Sequence, residues 1–482
     1  MKSTKPLSGL YLLLILTSLC VSHDLVTARA MAQTDAFYRS ENSNYTIVDS
    51  VLDSLRFTIT KTLIRNSNGN LESISTFVNP EGQPMKWHDF GALEGPGWAA
   101  NAVGGALEIF LWARFLNKPE WEFCALKILD HILDDGFIDF ETGFIKSYRI
   151  IGTPIFCLNF KHNSDWFCPG SMAKIAYQML LFSDYLGNNN PRAKKLKSTA
   201  LKTAQWIQSN VESTPNNWFP RRTKPNGRIY QLSAEGGSDP LWQESADGLF
   251  ILQLFAGLTE RKLADYRSVI KDKIYSFINA GGIFGSINHD TYDKHENVAY
   301  AVAFRVLFQC SKILNDQQIK RFAYDRCLTG LNQFMLTNNI NGVETKGLLY
   351  MEKSWDTAYL WENAEASLAW FEAAKDLQNV NPVDNKKMEL FGLTVLRSIS
   401  KHHHGEFGFL TEGVDWNNHV GAQHHINNTE FGDIQYTEPF LNNQHIAEPT
   451  LFYLTNLANV KSTGSSKMWI DCEGNIIFKK SN

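Results

Sequence analysis

The segment SWDTAYLWENAEASLAWFEAA, residues 354–374, decides the fold predicted for this chain. It predicts a helix, because Ser354 or Asp356 can cap the first turn and no proline interrupts the rest of the segment. Aromatic and acidic side chains crowd its N-terminal end. Small residues recur along its length, at Ala358, Ala364, Ala366, Ala369, Ala373 and Ala374. Neighbouring helices can therefore approach this helix closely on several sides.

The same pattern appears five more times, and a different kind of helix precedes each copy. The preceding helices include those predicted at 191–212, 261–279, 315–337 and 384–401, which carry repeated lysine and arginine. Their partners carry few charges past the first turn, chiefly Glu108, Lys174, Asp247, Arg305 and Glu365. Amphipathic helices keep one face in water, whereas helices that are apolar nearly all round are enclosed. The alternation predicts an inner ring of helices within an outer ring.

The predicted inner helices lie near residues 97–116, 168–187, 240–258, 293–313, 355–377 and 444–458, and the other two outer helices near 45–65 and 119–134. Asp239-Pro240 predicts the start of the third inner helix. Short hairpins are predicted at Glu141-Thr142-Gly143 and Asn226-Gly227. The connections that lead into inner helices are long, whereas those that leave them are short. The toroid domain is predicted over residues 33–462, and the tail, 463–482, is predicted to form a small β-hairpin.

This alternation resembles the (α/α)6 toroid of the six-hairpin glycosidase-like superfamily over roughly residues 45–458. The resemblance is architectural, and no local motif selects a family within the superfamily. It implies an all-α fold of six helical hairpins, with small β-hairpins in the loops. It also implies that the N-terminal ends of the inner helices converge on one face. An open helical solenoid is the alternative, but its repeats would not need long, irregular loops on one side.

The first 32 residues predict a signal peptide. Lys2 and Lys5 precede an apolar run from Leu10 to Val21, and small residues follow at Ala28, Ala30 and Ala32. The run is too short for a stable membrane anchor, which needs roughly 20 apolar residues. We therefore expect a secreted or periplasmic protein. A formal net charge of −4 and the lack of a basic block argue against a nucleic-acid partner.

The cysteines leave two interpretations open. In an oxidising compartment, Cys157 could pair with Cys168 and Cys310 with Cys327, but free buried thiols fit equally well. Their spacing matches no zinc or redox motif, and no cofactor is predicted. Histidines gather near the end of the chain, at His402, His403, His404, His419, His424, His425 and His445. We interpret most of these as polar loop residues and predict no metal site.

Aromatic residues mark the predicted entrances of the inner helices. Aromatic rings stack against the C–H faces of sugars, so such a cleft suits an oligosaccharide or polysaccharide substrate. The predicted substrate-binding residues are Trp98, Trp166, Trp242, Trp355, Trp361 and Trp416. The alternative is that these rings only fill the top of the barrel.

Carboxylates accompany these rings, and they suggest a glycoside hydrolase. Glycoside hydrolysis needs one protonated acid at the leaving oxygen and one ionised partner. The predicted pair is Glu244 with Asp356, followed by Glu362 and Asp165. Asp356 also fits a helix cap.

Two other functions stay open. A polysaccharide lyase or sugar epimerase would use histidine or tyrosine instead, and His295 and His445 lie near predicted inner-helix starts. A glycan-binding toroid without catalysis is the third hypothesis.

Overall fold

A computed structural model describes residues 38–40, 43–85, 92–97, 101–160, 165–230, 244–287, 293–404, 408–417, 432–434 and 436–458. Helices dominate these ranges and alternate between two roles. The outer helices are α1 (Ile47–Phe57), α3 (Pro119–Asp134), α5 (Pro191–Asn210), α7 (Arg267–Asn279), α9 (Gln317–Phe322) and α11 (Pro382–Lys401). The inner helices are α2 (Ala102–Leu116), α4 (Pro169–Leu186), α6 (Gly248–Glu260), α8 (Asn297–Leu314), α10 (Leu360–Leu377) and α12 (Ala447–Phe452).

Several helices are extended by tighter or wider turns. Single π-helical stretches follow α1 at Thr58–Thr62, α9 at Ala323–Leu328 and α12 at Tyr453–Leu457. Another, Pro439–Asn443, precedes α12 and lengthens the last inner segment. A 3-10 turn lies at Leu331–Phe334. Because Pro439–Asn443 and Tyr453–Leu457 flank α12, the sixth inner segment is comparable in length to the other inner helices.

Short strands lie in the connections. They are β1 (Tyr38–Ser40), β2 (Ser43–Thr46), β3 (Leu63–Arg65), β4 (Leu71–Ser73), β5 (Leu93–Glu94), β6 (Tyr148–Ile150), β7 (Phe156–Cys157), β8 (Thr357–Tyr359), β9 (His403–His404), β10 (Phe409–Leu410), β11 (Gly413–Asp415) and β12 (Gly432–Asp433). Three-stranded sheets form in the orders β5-β6-β7 and β12-β11-β8. The second sheet places Val414 opposite Ala358, and so ties the last long connection to the start of α10.

Four of the six outer helices begin at local side-chain caps, whereas α3 and α7 begin without a side-chain cap. Thr46 and Asp49 form a capping box at α1, and Asp316 accepts the amides of Gln318 and Ile319 at α9. Asn190-Pro191 and Asn381-Pro382 start α5 and α11 in the same way. Side chains at these positions accept amides that would otherwise lack intrahelical partners. The starts of these four outer helices are therefore specified largely by nearby residues.

The inner helices form a closed ring. Each contacts the next in chain order, and α12 contacts α2. Trp112 on α2 donates its indole N–H to the carbonyl of Ala447 over 2.9 Å, and the Gln444 amide donates to the carbonyl of Gly105 over 2.9 Å. Gly105 faces the ring of Phe440 at this junction. The fold is an (α/α)6 toroid, and the solenoid is excluded because the ends of the chain of helices meet.

The predicted starts of two inner helices were wrong. α10 begins at Leu360 and not near Trp355, because Thr357–Tyr359 pairs with β11 as a strand. Its preceding residue Tyr359 makes no side-chain cap, so Ser354 and Asp356 do not cap it. α6 begins at Gly248, eight residues after the predicted start at Pro240. Long-range strand pairing supplies the hydrogen bonds that local capping was expected to supply at α10.

Both predicted hairpins form in the described residues. Ile138 bridges Ile145 across the first hairpin, and Thr223 bridges Ile229 across the second. Cys124, Cys157, Cys168, Cys310 and Cys327 are free thiols, so the disulfide alternative is absent here. No helix in the described ranges is long and apolar enough to cross a bilayer. The predicted signal peptide and the predicted C-terminal hairpin lie outside those ranges.

The junction between the first and last inner segments can be tested at Gly105. A Cβ atom added there would lie 2.0 Å from Cδ1 of Phe440. We expect Gly105→Ala to destabilise the protein by roughly 1–3 kcal/mol through overpacking, although alanine favours helices. Phe440→Leu should relieve the clash, so the double variant should be more stable than the sum of the single changes predicts. Chemical denaturation of the four proteins measures this, and a more stable Gly105→Ala protein would contradict the packing of this junction.

Candidate functional site

The region enclosed by the inner ring is here called the lumen, and the N-terminal ends of the inner helices lie at one end of it. The connections into those helices are long, for example residues 135–168 and 402–446, whereas Asn117-Lys118 is enough to join α2 to α3. Long connections gathered on one face of a rigid scaffold commonly carry binding and catalytic residues. We call this the loop face. The candidate site is the lumen immediately beneath it.

A buried lysine crosses the lumen beneath the loop face. Lys174 lies on α4, one and a half turns inside the helix, and is 8% exposed. Its ammonium lies 5.1 Å from the ring centre of Phe250 on α6 and 5.8 Å from that of Trp361 on α10. Because α4 and α10 lie opposite each other in a ring of six, Lys174 reaches across the middle of the lumen. It forms part of the floor of the candidate site.

A chain of buried charges continues through the lumen below Lys174, and we call it the axial chain. His445 lies between two carboxylates, with Nδ1 3.0 Å from Glu108 and Nε2 3.1 Å from Glu365. Arg305 Nη1 donates to the other oxygen of Glu365 over 2.5 Å, and its Nε donates to Glu372 over 3.1 Å. The axial chain therefore joins α2, α8 and α10 to the segment before α12.

His445 is held as an imidazolium. Burial alone would lower the pKa of this imidazole, but the hydrogen bonds to Glu108 and Glu365 outweigh it and raise the pKa to about 10. Burial also opposes the charged form of Glu365, yet Arg305 and His445 keep the pKa of that carboxyl well below its usual range. Both ring N–H groups are engaged, so this state of His445 does not suit a general base.

Asp247 is the carboxylate best placed to act as an acid. It immediately precedes α6, is 3% exposed, and its Oδ2 has no hydrogen-bond partner among the described residues. Burial raises the pKa of Asp247 to about 6, against the opposing charges of Arg221 and Lys174 and a hydrogen bond from the Gly170 amide. Gly170 makes this approach possible, because a Cβ atom there would lie 2.2 Å from Asp247 Oδ2.

The four predicted catalytic carboxylates occupy different places. Glu362 is buried in the first turn of α10 and accepts a hydrogen bond of 3.0 Å from Asn297 on α8. Glu244 accepts one of 2.9 Å from Asn216, in the connection that follows outer helix α5. The structure places Glu362 on an inner helix and Glu244 in the connection from α5 to α6, which belongs to the loop face.

The other two predicted carboxylates lie nearer the rim. Asp356 accepts a hydrogen bond of 2.8 Å from Asn417, beside the strand pair β8-β11. Asp165 has a side chain that is 64% exposed, with Lys224 Nζ 3.6 Å away. The carboxylate of Asp165 is therefore solvent-exposed and is not enclosed by aromatic rings.

The predicted tryptophans are buried where the structure describes them. Trp361 is at the floor beside Lys174, whereas Trp166 packs with Phe160 and Tyr230 and lies 4.0 Å from the guanidinium of Arg222. Trp355 and Trp416 are buried near β8 and β11. Trp98 and Trp242 lie outside the described residues.

Sequence reasoning missed the importance of Asp247. The available signal was that Asp247 is one of the few charges on the predicted inner helices. A helix that began at Pro240 would, however, place Glu244 about one turn from its start, and the prediction therefore chose Glu244 in Gln243-Glu244-Ser245-Ala246-Asp247. Helical spacing could not show which of Glu244 and Asp247 is the better candidate, because residues 244–247 are not helical and α6 begins at Gly248. The contact with Gly170 on another helix distinguishes them.

Two other histidines contact polar groups outside the axial chain. His295 Nδ1 lies 2.7 Å from the Tyr300 hydroxyl, and burial lowers the pKa of this imidazole. His402 contacts Asp433 Oδ1 at 2.6 Å and the carbonyl of Glu344 at 2.7 Å. Burial opposes protonation of His402, but Asp433 raises its pKa above the ordinary value. His419, His424 and His425 lie outside the described residues.

Two groups of described residues have the composition of a metal site, and protein cations already occupy both. Glu72, Glu94 and His131 lie close together, but Arg149 donates to both glutamates, and His131 contacts Glu94 at 2.9 Å. In the second group, Glu108, His445 and Glu448, the imidazolium bonds Glu108, and Arg305 lies 3.7 Å from Glu448. These arrangements are ion-pair networks.

The axial chain should make the stability depend on pH. Since the pKa of His445 rises from an ordinary 6.5 to about 10 on folding, its contribution is complete below about pH 6.5 and is lost as the pH rises through 10. We expect His445→Gln to lower the melting temperature strongly near pH 6, consistent with the roughly 3–5 kcal/mol lost when a buried pair is broken. The difference from wild type should shrink by about pH 9.5.

His295→Gln provides the matched control, because burial lowers the pKa of His295 and this ring therefore gains no proton on folding. The difference of its melting temperature from wild type should not shrink between pH 6 and pH 9.5. An effect of His445→Gln that does not change between the two pH values would contradict the imidazolium assignment.

Solved structures share this architecture. The chain resembles a cellobiose 2-epimerase from Bacillus thermoamylovorans B4167, with a TM-score of 0.56 and 11% identity over 85% of this chain and 99% of that chain. A cellobiose 2-epimerase from Spirochaeta thermophila DSM 6192 gives 0.54 and 13%, covering 85% and 96%. A D-mannose isomerase gives 0.53 and 11%, covering 85% and 97%. No protein-family model and no curated protein matches the sequence. The chain therefore shares the (α/α)6 toroid fold with these structures.

Proposed function

We propose that this protein is a carbohydrate-active enzyme, and specifically a glycoside hydrolase that acts on an oligosaccharide or polysaccharide. The observation that carries the proposal is Asp247, a buried carboxyl at the loop-face end of an inner helix with a pKa of about 6. A carboxyl of this kind keeps its proton close to neutral pH and can protonate the leaving oxygen of a glycoside.

Glu362 is the proposed ionised partner. It is fully buried at the start of α10, and the amide of Asn297 donates a hydrogen bond to it. A hydrogen bond donated to a carboxylate favours the charged form. Trp361, the preceding residue, supplies an aromatic ring beside Lys174. Glu244 and Asp356, the pair first predicted, accept hydrogen bonds from Asn216 and Asn417 on the loop face and are the alternative pair.

A sugar epimerase or isomerase is the second candidate, because the solved structures with TM-scores above 0.5 named above are two epimerases and an isomerase. Abstracting a proton beside a carbonyl needs a base, for which neutral histidine is suited. Among the described histidines, His445 is an imidazolium between two carboxylates and His295 contacts Tyr300. The contacts of His445 therefore argue against it as the base, whereas His295, whose pKa burial lowers, is the candidate base of this alternative.

A glycan panel separates these functions. The purified protein is incubated with neutral and acidic oligosaccharides, and new reducing ends, unsaturated products and isomerised sugars are measured separately. New reducing ends without unsaturation support a hydrolase. Unsaturated products would indicate a lyase, isomerised sugars an epimerase or isomerase, and binding without any product a glycan-binding protein.

On a substrate found in this way, Asp247→Asn should lower kcat by roughly 10²–10⁴-fold, the usual contribution of a general acid. Glu362→Gln should have an effect of similar size. Wild-type activity should decline as the pH rises above about 6, because the acid must be protonated. Asp165→Asn is the control, because this exposed carboxyl should leave kcat within about twofold. Full activity in a folded Asp247→Asn protein would remove Asp247 from this role.

We also propose that the protein is exported, on the basis of the basic start, the apolar run and the small residues in the first 32 residues. Expression in a bacterial host should give a periplasmic or secreted product that begins at Met31 or Gln33. Mass spectrometry of the N-terminal peptide measures this directly. Recovery of the intact N-terminus in the cytoplasmic fraction would contradict export.

A further inference from the structure

We propose that residues 459–482, here called the tail segment, dock onto an apolar patch of outer helix α11. The patch consists of Val380, Val383 and Leu390, and we call it the α11 patch. Docking there would tie the end of the chain to the last outer helix. The proposal concerns the outside of the toroid and is independent of the proposed enzymatic function.

The α11 patch is exposed to an unusual degree. Val380 and Val383 are each 78% exposed and Leu390 is 57% exposed, and no other large apolar side chain in the described ranges exceeds 50%. Val383 and Leu390 are seven residues apart, which places them on one face of α11. Val395 and Ile399 lie on the other side of this helix and are buried. An outer helix normally keeps its second face polar, so the patch calls for a cover.

The described chain ends beside this patch, at residue 458. Tyr453 Oη donates over 2.9 Å to the carboxylate of Glu389, which immediately precedes Leu390 on α11. Asn456 Oδ1 accepts from Lys375 Nζ over 2.5 Å, in the last turn of α10. The turn from α10 to α11, which carries the first residue of the patch, follows directly. The tail segment therefore starts close to the surface that it is proposed to cover.

The tail segment has the length and composition that such a cover requires. Residues 459–466 are mostly polar and span up to roughly 26 Å when extended, at about 3.3 Å per residue. Two apolar runs follow, Met468-Trp469-Ile470 and Ile476-Ile477-Phe478, on either side of the turn predicted at Asp471-Cys472-Glu473-Gly474. The first eight residues can therefore act as a linker, and the two runs can reach the patch.

The predicted hairpin needs a surface to pack against. A two-stranded hairpin by itself is at best marginally stable in water, and packing against a helix is one way to stabilise it. Successive side chains of a strand point to opposite faces, so both apolar runs would place apolar groups on each face of the hairpin. The α11 patch can remove one of these faces from water, and the hairpin can do the same for the patch.

Charges near the patch complement those of the predicted turn. Lys386 and Lys387 are exposed on α11, and Lys387 lies one turn after Val383. The turn of the tail segment carries Asp471 and Glu473. Exposed ion pairs contribute little stability, so we expect them to fix the orientation of the docked segment. The burial of apolar side chains supplies the favourable free energy.

Crosslinking of the intact protein tests where the tail segment lies. With a short amine-reactive crosslinker and mass spectrometry, Lys386 and Lys387 should link to Lys467 or Lys479. The lysines of α5 are the control, because α5 is also a lysine-rich outer helix but does not adjoin α11. They should give no links to the tail segment. Mixing isotope-labelled and unlabelled protein distinguishes links within one molecule from links between two.

Two crosslinking results would overturn the proposal. If the tail segment does not link to α11, or links equally well to α5, it does not dock on the patch. If the links join different molecules and disappear on dilution, the patch is covered by a second copy of the chain instead.

A substitution in the patch measures whether it is covered. Glutamate and leucine have similar helix propensities, so on a bare surface Leu390→Glu should change the melting temperature by no more than about 1 °C. On a covered patch it would bury an unpaired carboxylate. We then expect the melting temperature to fall by roughly 2–6 °C and the links from Lys386 and Lys387 to weaken severalfold.

Phe123→Glu is the matched control, since Phe123 is 50% exposed on a different outer helix, α3. It should leave the links between α11 and the tail segment at their wild-type level, whatever it does to the melting temperature. Unchanged links, or an unchanged melting temperature, in the folded Leu390→Glu protein would overturn the proposal.

Discussion

The carboxylate of Glu365 is the interaction on which the centre of the toroid depends. It accepts from Arg305 on α8 and from His445 before α12, while it belongs to α10 itself. His445 then reaches Glu108 on α2. Charges removed from water are costly unless they are paired and hydrogen-bonded, so each member constrains the position of the others. Four parts of the inner ring are thereby fixed relative to one another.

This arrangement determines which side chains remain suitable for chemistry. An imidazolium whose two N–H groups are both engaged cannot take a proton, so the axial chain uses His445 for structure. Asp247 lies at the other extreme. It is buried, it has few partners, and its pKa is near 6. Environment thus separates the buried ionisable groups of one lumen into a structural set and a candidate acid.

The (α/α)6 toroid carries several different reactions on sugars. Epimerases and an isomerase have the same toroid at 11–13% identity, and one scaffold supports different chemistry through the residues placed at its open face. The hydrolase proposal therefore depends on Asp247 and Glu362.

The sequence by itself determined the architecture, because charge and small-residue patterns repeat with each helical hairpin. Lysine-rich helices were predicted outside and apolar helices inside, and the starts predicted at 315 and 384 lie within three residues of the observed starts at Gln317 and Pro382. It also predicted both short hairpins, since the Gly143 and Gly227 turns are local. These features depend on residues that are close in sequence, where propensity and periodicity carry information.

Only the tertiary structure decided where the inner helices begin and which charges meet. Ser354 and Asp356 lost their capping role because β8 pairs with β11, more than fifty residues later. Glu108 and His445 are 337 residues apart, so no local pattern could pair them. Asp247 is distinguished from Glu244 by its contact with Gly170 on another helix. Burial and charge pairing are properties of the assembled lumen, and they set the proton affinities on which function depends.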